Sequence, residues 1–185
     1  MKKSTLALAV AVGVLAQQAG AAGFIEDSKA SITARNFYIN SDNRDGTANP
    51  SKQEEWGQGF IFNFASGYTQ GTVGFGVDAI GLYGVKLDSG KGTHYNANSA
   101  GKGGLVFPSD SDGRAVDDFS SLGLTAKVKV SKTELRLGTL LPKLPVVTSN
   151  DGRLLPQTFE GGQITSNDIE NLTLVGGKLE HAKGR

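Results

Sequence analysis

Hydrophobic and polar positions alternate along most of the segment TVGFGVDAIGLYGVKL, residues 72–87. Successive side chains of a β-strand point to opposite faces, so this pattern predicts a strand with one apolar face and one face of small, polar or charged residues. Ile80 and Leu82 are exceptions, because they are apolar residues in the polar row. Strands of soluble proteins are usually about 5 to 6 residues long, whereas a tilted membrane-crossing strand needs about 9 to 11. The length of the run therefore favours the wall of a membrane β-barrel.

Six further segments show strand-like patterns, and the links between the strands tend to alternate between long and short. Outer-membrane barrels have short periplasmic turns and longer extracellular loops, so this rhythm is the expected one. All five prolines fall in long links, where a missing backbone donor does not interrupt a β-ladder. The predicted strands are Lys29–Ile39, Glu55–Ser66, Gly71–Leu87, Asp118–Val130, Thr133–Leu140, Thr158–Thr165 and Leu172–Glu180.

The alternation also predicts which face of each strand meets lipid. In the first strand Asn36 interrupts an otherwise apolar outer row, and at Gly176-Gly177 the pattern does not choose a face. A soluble β-sandwich is the alternative, but its turn signals usually recur every 8 to 12 residues, and two links here run to about 17 and 30 residues. The predicted lipid-facing rows include Trp56, Phe60, Phe62 and Phe64 in the second strand, and Leu122, Leu124, Ala126, Val128 and Val130 in the fourth.

The first 21 residues have the features of a cleaved secretory signal. Lys2 and Lys3 precede an apolar stretch at residues 6–16, and Ala19-Gly20-Ala21 matches the small-residue pattern of a signal-peptidase site. The stretch is too short to cross a bilayer as a helix, and no later segment approaches about 18 consecutive apolar residues. We therefore expect export to the outer membrane, with any membrane span in residues 22–185 formed by β-strands.

Charge and composition exclude several classes of protein. Removal of residues 1–21 takes away two lysines and no acidic residue, which changes the formal net charge from +1 to −1. This balance lacks the basic footprint of a nucleic-acid-binding protein. The absence of cysteine excludes disulfides and thiolate metal sites, and nothing in the sequence calls for a cofactor. The 26 glycines and 38% hydrophobic content fit a barrel, in which only half of each strand must be apolar.

Charged residues within the predicted strands should point into the lumen. An Arg or Lys on the lipid face near the bilayer midplane costs about 2 to 4 kcal/mol, and the alternation independently places these residues in the inner rows. Arginine can hold a carboxylate in a two-point fork that lysine cannot reproduce. The alternative is that each residue is simply solvated. The predicted lumen charges are Arg35, Lys127, Lys129 and Arg136, with the acidic Asp78 and Glu134.

The segment LLPKLPVVTSNDGRLLPQTFEGG, residues 140–162, is too apolar for a free surface loop. We expect residues 141–157 to fold back into the barrel and narrow it, leaving Lys143, Asp151 and Arg153 to meet the solute. The alternative is a packed extracellular cap with an ordinary turn at Asp151-Gly152. The side chains expected to need burial are Leu141, Leu144, Val146, Val147, Leu154 and Leu155.

Several motifs resemble the OprD-type specific porins of pseudomonads, and the resemblance covers nearly all of residues 24–185. It implies an eighteen-stranded outer-membrane barrel that takes up small carboxylate-bearing nutrients, with an inward-folded third loop and a ladder of basic residues. Arg35 and Arg153 carry over most directly, whereas Lys127 and Arg136 rest mainly on parity. The motifs are RNFY at residue 35, TQGTVGFGVDAIGLYGVKLDSG at 69, SDSDGRAVDDFSSLG at 109, KVKVSKTELRLGTLLPKLPV at 127 and NDGRLLPQTFEGG at 150.

Seven strands would not close such a barrel. Members of this family continue for well over twice this length, and two unpaired strand edges in lipid would leave backbone groups unsatisfied at several kcal/mol each. We therefore expect the sequence to be the N-terminal part of a longer porin. Homo-oligomerisation of the full-length form is left open.

Other candidate chemistry is weaker. Asp110, Asp112, Asp117 and Asp118 lack the spacing of a calcium-binding EF-hand loop and suit solvated turns. His94 and His181 lie far apart in predicted loop or terminal positions, which argues against a hydrolase triad. We therefore expect no enzyme. Two function classes remain, a channel for small organic anions or zwitterions in contact with outer-membrane lipid, and a secreted or surface β-sheet interaction protein without transport activity.

Overall fold

A computed structural model describes residues 23–42, 44, 51–89, 93–94 and 104–184; the predicted signal, residues 1–21, lies outside these ranges. Seven strands form one antiparallel sheet in the order β1-β2-β3-β4-β5-β8-β9, and β6 with β7 forms a separate hairpin. This confirms the seven predicted strands. The strands are β1 (Lys29–Asp42), β2 (Lys52–Ala65), β3 (Val73–Asp88), β4 (Asp118–Val130), β5 (Thr133–Leu140), β6 (Lys143–Leu144), β7 (Val147–Thr148), β8 (Thr158–Ser166) and β9 (Leu174–Lys183).

Short and long links fall on opposite edges of the sheet. Because neighbouring strands are antiparallel, links 66–72, 131–132 and 167–173 share one edge, and links 43–51, 89–117 and 141–157 share the other. We call the second and third long links L2 (residues 89–117) and L3 (residues 141–157). Among the described residues, no helix combines the length and hydrophobicity required to cross a bilayer.

The outer face of the sheet, which carries Phe60, Phe62 and Leu122, exposes a broad apolar band. Large hydrophobic side chains on this face are solvent-accessible in the chain, as a lipid-facing surface requires. Ten residues separate Tyr83 from Val73, and at about 3.4 Å per residue and a tilt of about 40° they span roughly 26 Å, close to the apolar height of a barrel. Asn36 lies on the outer face, beyond Tyr83 in the direction of the long links. Its side-chain oxygen accepts a hydrogen bond from the Trp56 indole at 2.9 Å.

The inner face, which carries Lys127 and Arg136, explains the two exceptions in the alternation. Ile80 and Leu82 are buried there in a cluster with Ile61 and with apolar residues of L2 and L3. They are apolar because loops cover this part of the inner wall. The register also assigns the two glycines that the sequence left open. Gly177 pairs with Gln163, which pairs with Arg136 of the inner face, and Gly176 pairs with Ile164 on the outer side.

Candidate functional site

L3 lies over the inner face of β1 and β2 and is held there by Arg35. The Arg35 guanidinium forms a fork with Asp151, at 2.7 Å from Nη1 to Oδ1 and 3.1 Å from Nη2 to Oδ2. Nη1 also donates to the backbone carbonyl of Arg153 at 2.7 Å. Three predicted site residues therefore meet at one point, and in this conformation the planar donors of Arg35 are engaged by the loop itself.

The second half of L3 is the part that packs against the wall. Leu154, which is 1% exposed, and Leu155 join the inner-face cluster with Ile61. Gly57 permits this approach, because a Cβ at that position would lie 2.9 Å from a Leu154 methyl carbon and 2.7 Å from the Phe107 ring. The strand must therefore lack a side chain where the two loops cross it.

The first half of L3 does not follow the prediction of general burial. Val146 is 90% exposed and Leu141 is 40% exposed, so the expectation for these two residues was wrong. For Val146 the reason is that residues 143–148 form the β6-β7 hairpin, which pairs Leu144 with Val147 and places Val146 at its tip. Leu144 and Val147 are partly buried and border a cavity with Val175 and Leu179 of β9.

L2 is joined to L3, which the sequence reasoning missed. The Arg153 side chain donates to the backbone carbonyl of Leu105. Val106 and Phe107 are buried in the same cluster as Leu154, and Phe107 meets Phe119 edge-on with ring centroids 6.1 Å apart. The signal available in the sequence is the apolar triplet Leu105-Val106-Phe107 in an otherwise Gly-, Ser- and Asp-rich link. Together L3 and the described part of L2 form one packed unit on the inner wall.

Glu55 of β2 forms a constellation with His94 and Ser109 of L2, in which Glu55 and His94 are buried and Ser109 is partly buried. His94 Nδ1 contacts Glu55 Oε1, and its Nε2 lies 2.8 Å from the Ser109 hydroxyl. The sequence argued against a hydrolase triad of His with Ser and Asp, and the structure places His94 between Glu55 and Ser109. The side chains of Glu55 and His94 are 0% and 4% exposed, and the second Glu55 oxygen accepts from the Val106 N–H. Because Glu55 lies on β2 whereas His94 and Ser109 lie on L2, the constellation fastens the loop to the strand.

A second cluster of charges lies nearer the short-link edge of the inner face. Lys127 is 5% exposed, and its Nζ lies 2.6 Å from Asp78 Oδ1 and donates to the Ser66 carbonyl at 2.7 Å. The contact with Asp78 is an ion pair without the alignment of a hydrogen bond, since that carboxylate oxygen has no hydrogen-bond partner. The Lys127 ammonium also stands 4.9 Å from the Tyr68 ring centroid. Lys127 thus lies in the inner row, as parity predicts, but its charge is paired with Asp78 within the wall.

The remaining charges of this cluster are more accessible. Arg136 donates through Nε to Glu134, and its Nη1 lies 3.9 Å from Asp78 Oδ2, yet its side chain is 42% exposed. Lys129 is exposed, with its Nζ 5.5 Å from the Tyr68 ring centroid. Burial of Tyr68, and then the hydrogen bond that its phenol donates to Glu134, raise the pKa of Tyr68. Lys143 stands apart from both clusters, exposed on the β6-β7 hairpin.

Arg136 and Asp78 also border a cavity of about 460 Å³. Within the part of the chain that the structure describes, no group of His, Asp and Glu is placed to hold a metal ion. The inner-face lining includes Ser31, Asn63, Asp78, Thr125, Arg136 and Thr139.

Comparisons with known proteins agree on what this chain is similar to. A family model described as outer membrane porin, OprD family, matches residues 22–185. Porin-like protein GalP of Pseudomonas putida (strain KT2440) is 50% identical over 181 residues, which are 98% of this chain and 41% of that protein. The chain spans about two fifths of the length of the curated relatives it matches.

Solved structures show the same likeness. The crystal structure of OccK8 (OprE) from Pseudomonas aeruginosa superposes with a TM-score of 0.75 at 65% identity, covering 89% of this chain and 36% of that one. The crystal structure of OpdK with vanillate, also from Pseudomonas aeruginosa, gives a TM-score of 0.74 at 43% identity, covering 86% of this chain and 38% of that one. The seven-stranded sheet is therefore the fold of part of an outer-membrane porin barrel.

Proposed function

Because this chain belongs to the OprD family of outer-membrane porins, we propose that its inner face lines a diffusion channel for small carboxylate-bearing solutes such as amino acids and aromatic acids. The sheet belongs to an outer-membrane barrel, with the outer face toward lipid and the inner face toward the lumen. In this proposal residues 1–21 are the secretory signal, and L3, residues 141–157, forms the constriction.

One observation carries the preference for carboxylates. Arg136 borders the 460 Å³ inner cavity with a side chain that is 42% exposed, so its guanidinium can offer donors to a passing anion. Lys129, on the neighbouring strand β4, adds a second accessible cation on the same inner face. A relative that resembles this chain over 86% of its length was solved with vanillate, which bears a carboxylate. An accessible arginine is well suited to a carboxylate because its fork matches the two oxygens.

Eight of the charged residues predicted from the sequence are assigned three roles in this proposal. Arg136, Lys129 and the hairpin residue Lys143 are proposed to meet the solute. Asp78 limits the positive charge near Arg136 and keeps Lys127 in place. The residues proposed to hold the wall and the constriction in shape are Arg35, Lys127, Asp151 and Arg153.

Solute flux tests the proposal. The complete outer-membrane protein that carries this sequence, hereafter the complete gene product, would be reconstituted in liposomes, and entry of benzoate would be compared with entry of benzyl alcohol after correction for the alcohol's passage through protein-free bilayers. We expect faster channel-mediated entry of benzoate, and a smaller difference in Arg136→Gln because one accessible cation is lost. Equal rates for the two solutes in the wild-type channel would contradict the carboxylate preference. An absence of protein-dependent flux for either solute would contradict the channel itself.

A further inference from the structure

We propose that Glu55 is a positioning residue that seats L2 on the wall and, through L2, aims Arg153 of L3, so that the constriction is a composite of both loops. This inference rests on the channel function proposed above. The argument begins with the burial of Glu55. Its side chain is fully buried on the inner face of β2, two residues from the glycine that the loops cross.

Glu55 joins two separate parts of L2 to one point of the wall. One carboxylate oxygen contacts His94 Nδ1, and the other accepts from the Val106 N–H at 2.5 Å. His94 in turn reaches the Ser109 hydroxyl at 2.8 Å. A buried carboxylate is costly unless its oxygens are hydrogen-bonded, so removing these acceptors leaves buried donors without partners. Glu55 therefore supplies the polar part of the seat of L2 on β2, beside the packing of Phe107 over Gly57.

The seat of L2 is transmitted to L3 through adjacent atoms. Leu105, whose carbonyl accepts from the Arg153 guanidinium, directly precedes Val106. Val106 and Phe107 also share a buried cluster with Leu154 and Leu155 of L3. If Val106 leaves Glu55, the Leu105 carbonyl moves with it and Arg153 loses its acceptor. Arg35 holds the other side of L3, so the Arg153 side chain lies between two wall anchors.

The test compares Glu55→Leu, Glu55→Gln and the control Gln53→Leu in the complete gene product. Leucine removes both acceptors, glutamine keeps one carbonyl oxygen for the Val106 N–H, and Gln53 is a buried residue on the same face of the same strand. A heat-dependent gel shift identifies barrels that have assembled. In assembled barrels we expect trypsin to cleave L2 and L3 at least about tenfold faster in Glu55→Leu, which corresponds to about 1.4 kcal/mol of lost loop seating.

Conductance separates positioning from general damage. For Glu55→Leu we expect the half-saturating benzoate concentration to rise several-fold with a smaller change in maximal current, partial recovery in Glu55→Gln, and wild-type values in Gln53→Leu. Assembled Glu55→Leu barrels with wild-type cleavage and half-saturation overturn the proposal. If Glu55→Leu does not assemble, His94→Leu, which alters the loop and leaves the strand intact, decides by the same measurements. The proteolysis result holds even if the wild-type channel shows no carboxylate preference, which would contradict the proposed function alone.

Discussion

Replacement of Arg35 by lysine should loosen L3 while leaving a positive charge on the wall. Arg35 makes two contacts with Asp151, at 2.7 and 3.1 Å, and one with the Arg153 carbonyl at 2.7 Å. A lysine ammonium is a point donor and cannot reproduce the fork. We assign about 0.5 to 1 kcal/mol to the ion pair between Arg35 and Asp151, because the Asp151 side chain is 54% exposed and solvent weakens such a pair. The carbonyl bond adds about 1 kcal/mol.

The sum, about 1.5 to 2 kcal/mol, corresponds to a shift of about 13- to 30-fold in the ratio of seated to unseated L3. Single-channel recording of the complete gene product measures this shift as current noise and as time spent in a higher-conductance state. Asp151→Asn is the matched variant, because it breaks the fork from the loop side and leaves Arg35 in place. A double-mutant cycle of the two substitutions should show coupling, since they remove the same interaction.

The reasoning would be refuted by Arg35→Lys channels with wild-type noise and conductance. It would also be refuted if Asp151→Asn tightened carboxylate binding while Arg35→Lys abolished it. That pair of results would show that Arg35 binds the solute and that Asp151 normally competes for Arg35. Arg35 would then not be an anchor of L3.

Three further outcomes follow from local features. Hydrogen bonds from Thr133, Ser131 and the Lys132 N–H lower the pKa of Asp168 from 3.8 to about 2. The stability that Asp168 gives to the link 167–173 should therefore be present above about pH 3.8 and lost as pH falls toward about 2. Hydrogen exchange of this link should show that acid step in the wild type and not in Asp168→Asn. Gly138→Ala should slow or prevent barrel assembly on heat-shift gels, because Gly138 has φ +128° and an added Cβ would lie 2.1 Å from the Leu124 carbonyl oxygen. Gly113→Ala, in L2, should have little effect on assembly, because Gly113 also has positive φ but open space around the position of the added Cβ. The 185 residues expressed alone leave one edge of β1 and one edge of β9 unpaired, so they should aggregate or be degraded, and a monodisperse conducting species would contradict this expectation.

Strand positions and faces could be predicted because they depend on a local period of two. The rule placed Phe62 outward and Lys127 inward, and even its failures at Ile80 and Leu82 were informative, since they marked the patch of wall that the loops cover. Parity does not report how a charge is used. Lys127 is buried in an ion pair because the register brings Asp78 beside it, and that register is a property of the whole sheet.

The contacts between L2 and L3 could not be predicted from the sequence, for the same reason. Glu55 and His94 are 39 residues apart, and Arg153 and Leu105 are 48 apart. No local period connects such positions. Val146 was predicted wrongly for a different reason. We assumed that an apolar residue needs burial, but a two-stranded hairpin places Val146 at an exposed tip.

The central claim is that one face of this sheet meets water in a channel and the other meets lipid. The printed sequence contains no cysteine, so single cysteines can be introduced along it without a competing thiol in these residues. Adjacent pairs give matched positions, Asn63→Cys against Phe62→Cys and Lys129→Cys against Val130→Cys, with the first of each pair on the inner face. During single-channel recording of the complete gene product, a charged thiol reagent should lower the current in steps at the two inner positions and leave it unchanged at the two outer ones. Equal block at Phe62→Cys and Val130→Cys, or labelling of Asn63→Cys and Lys129→Cys with no change in current, would contradict the account.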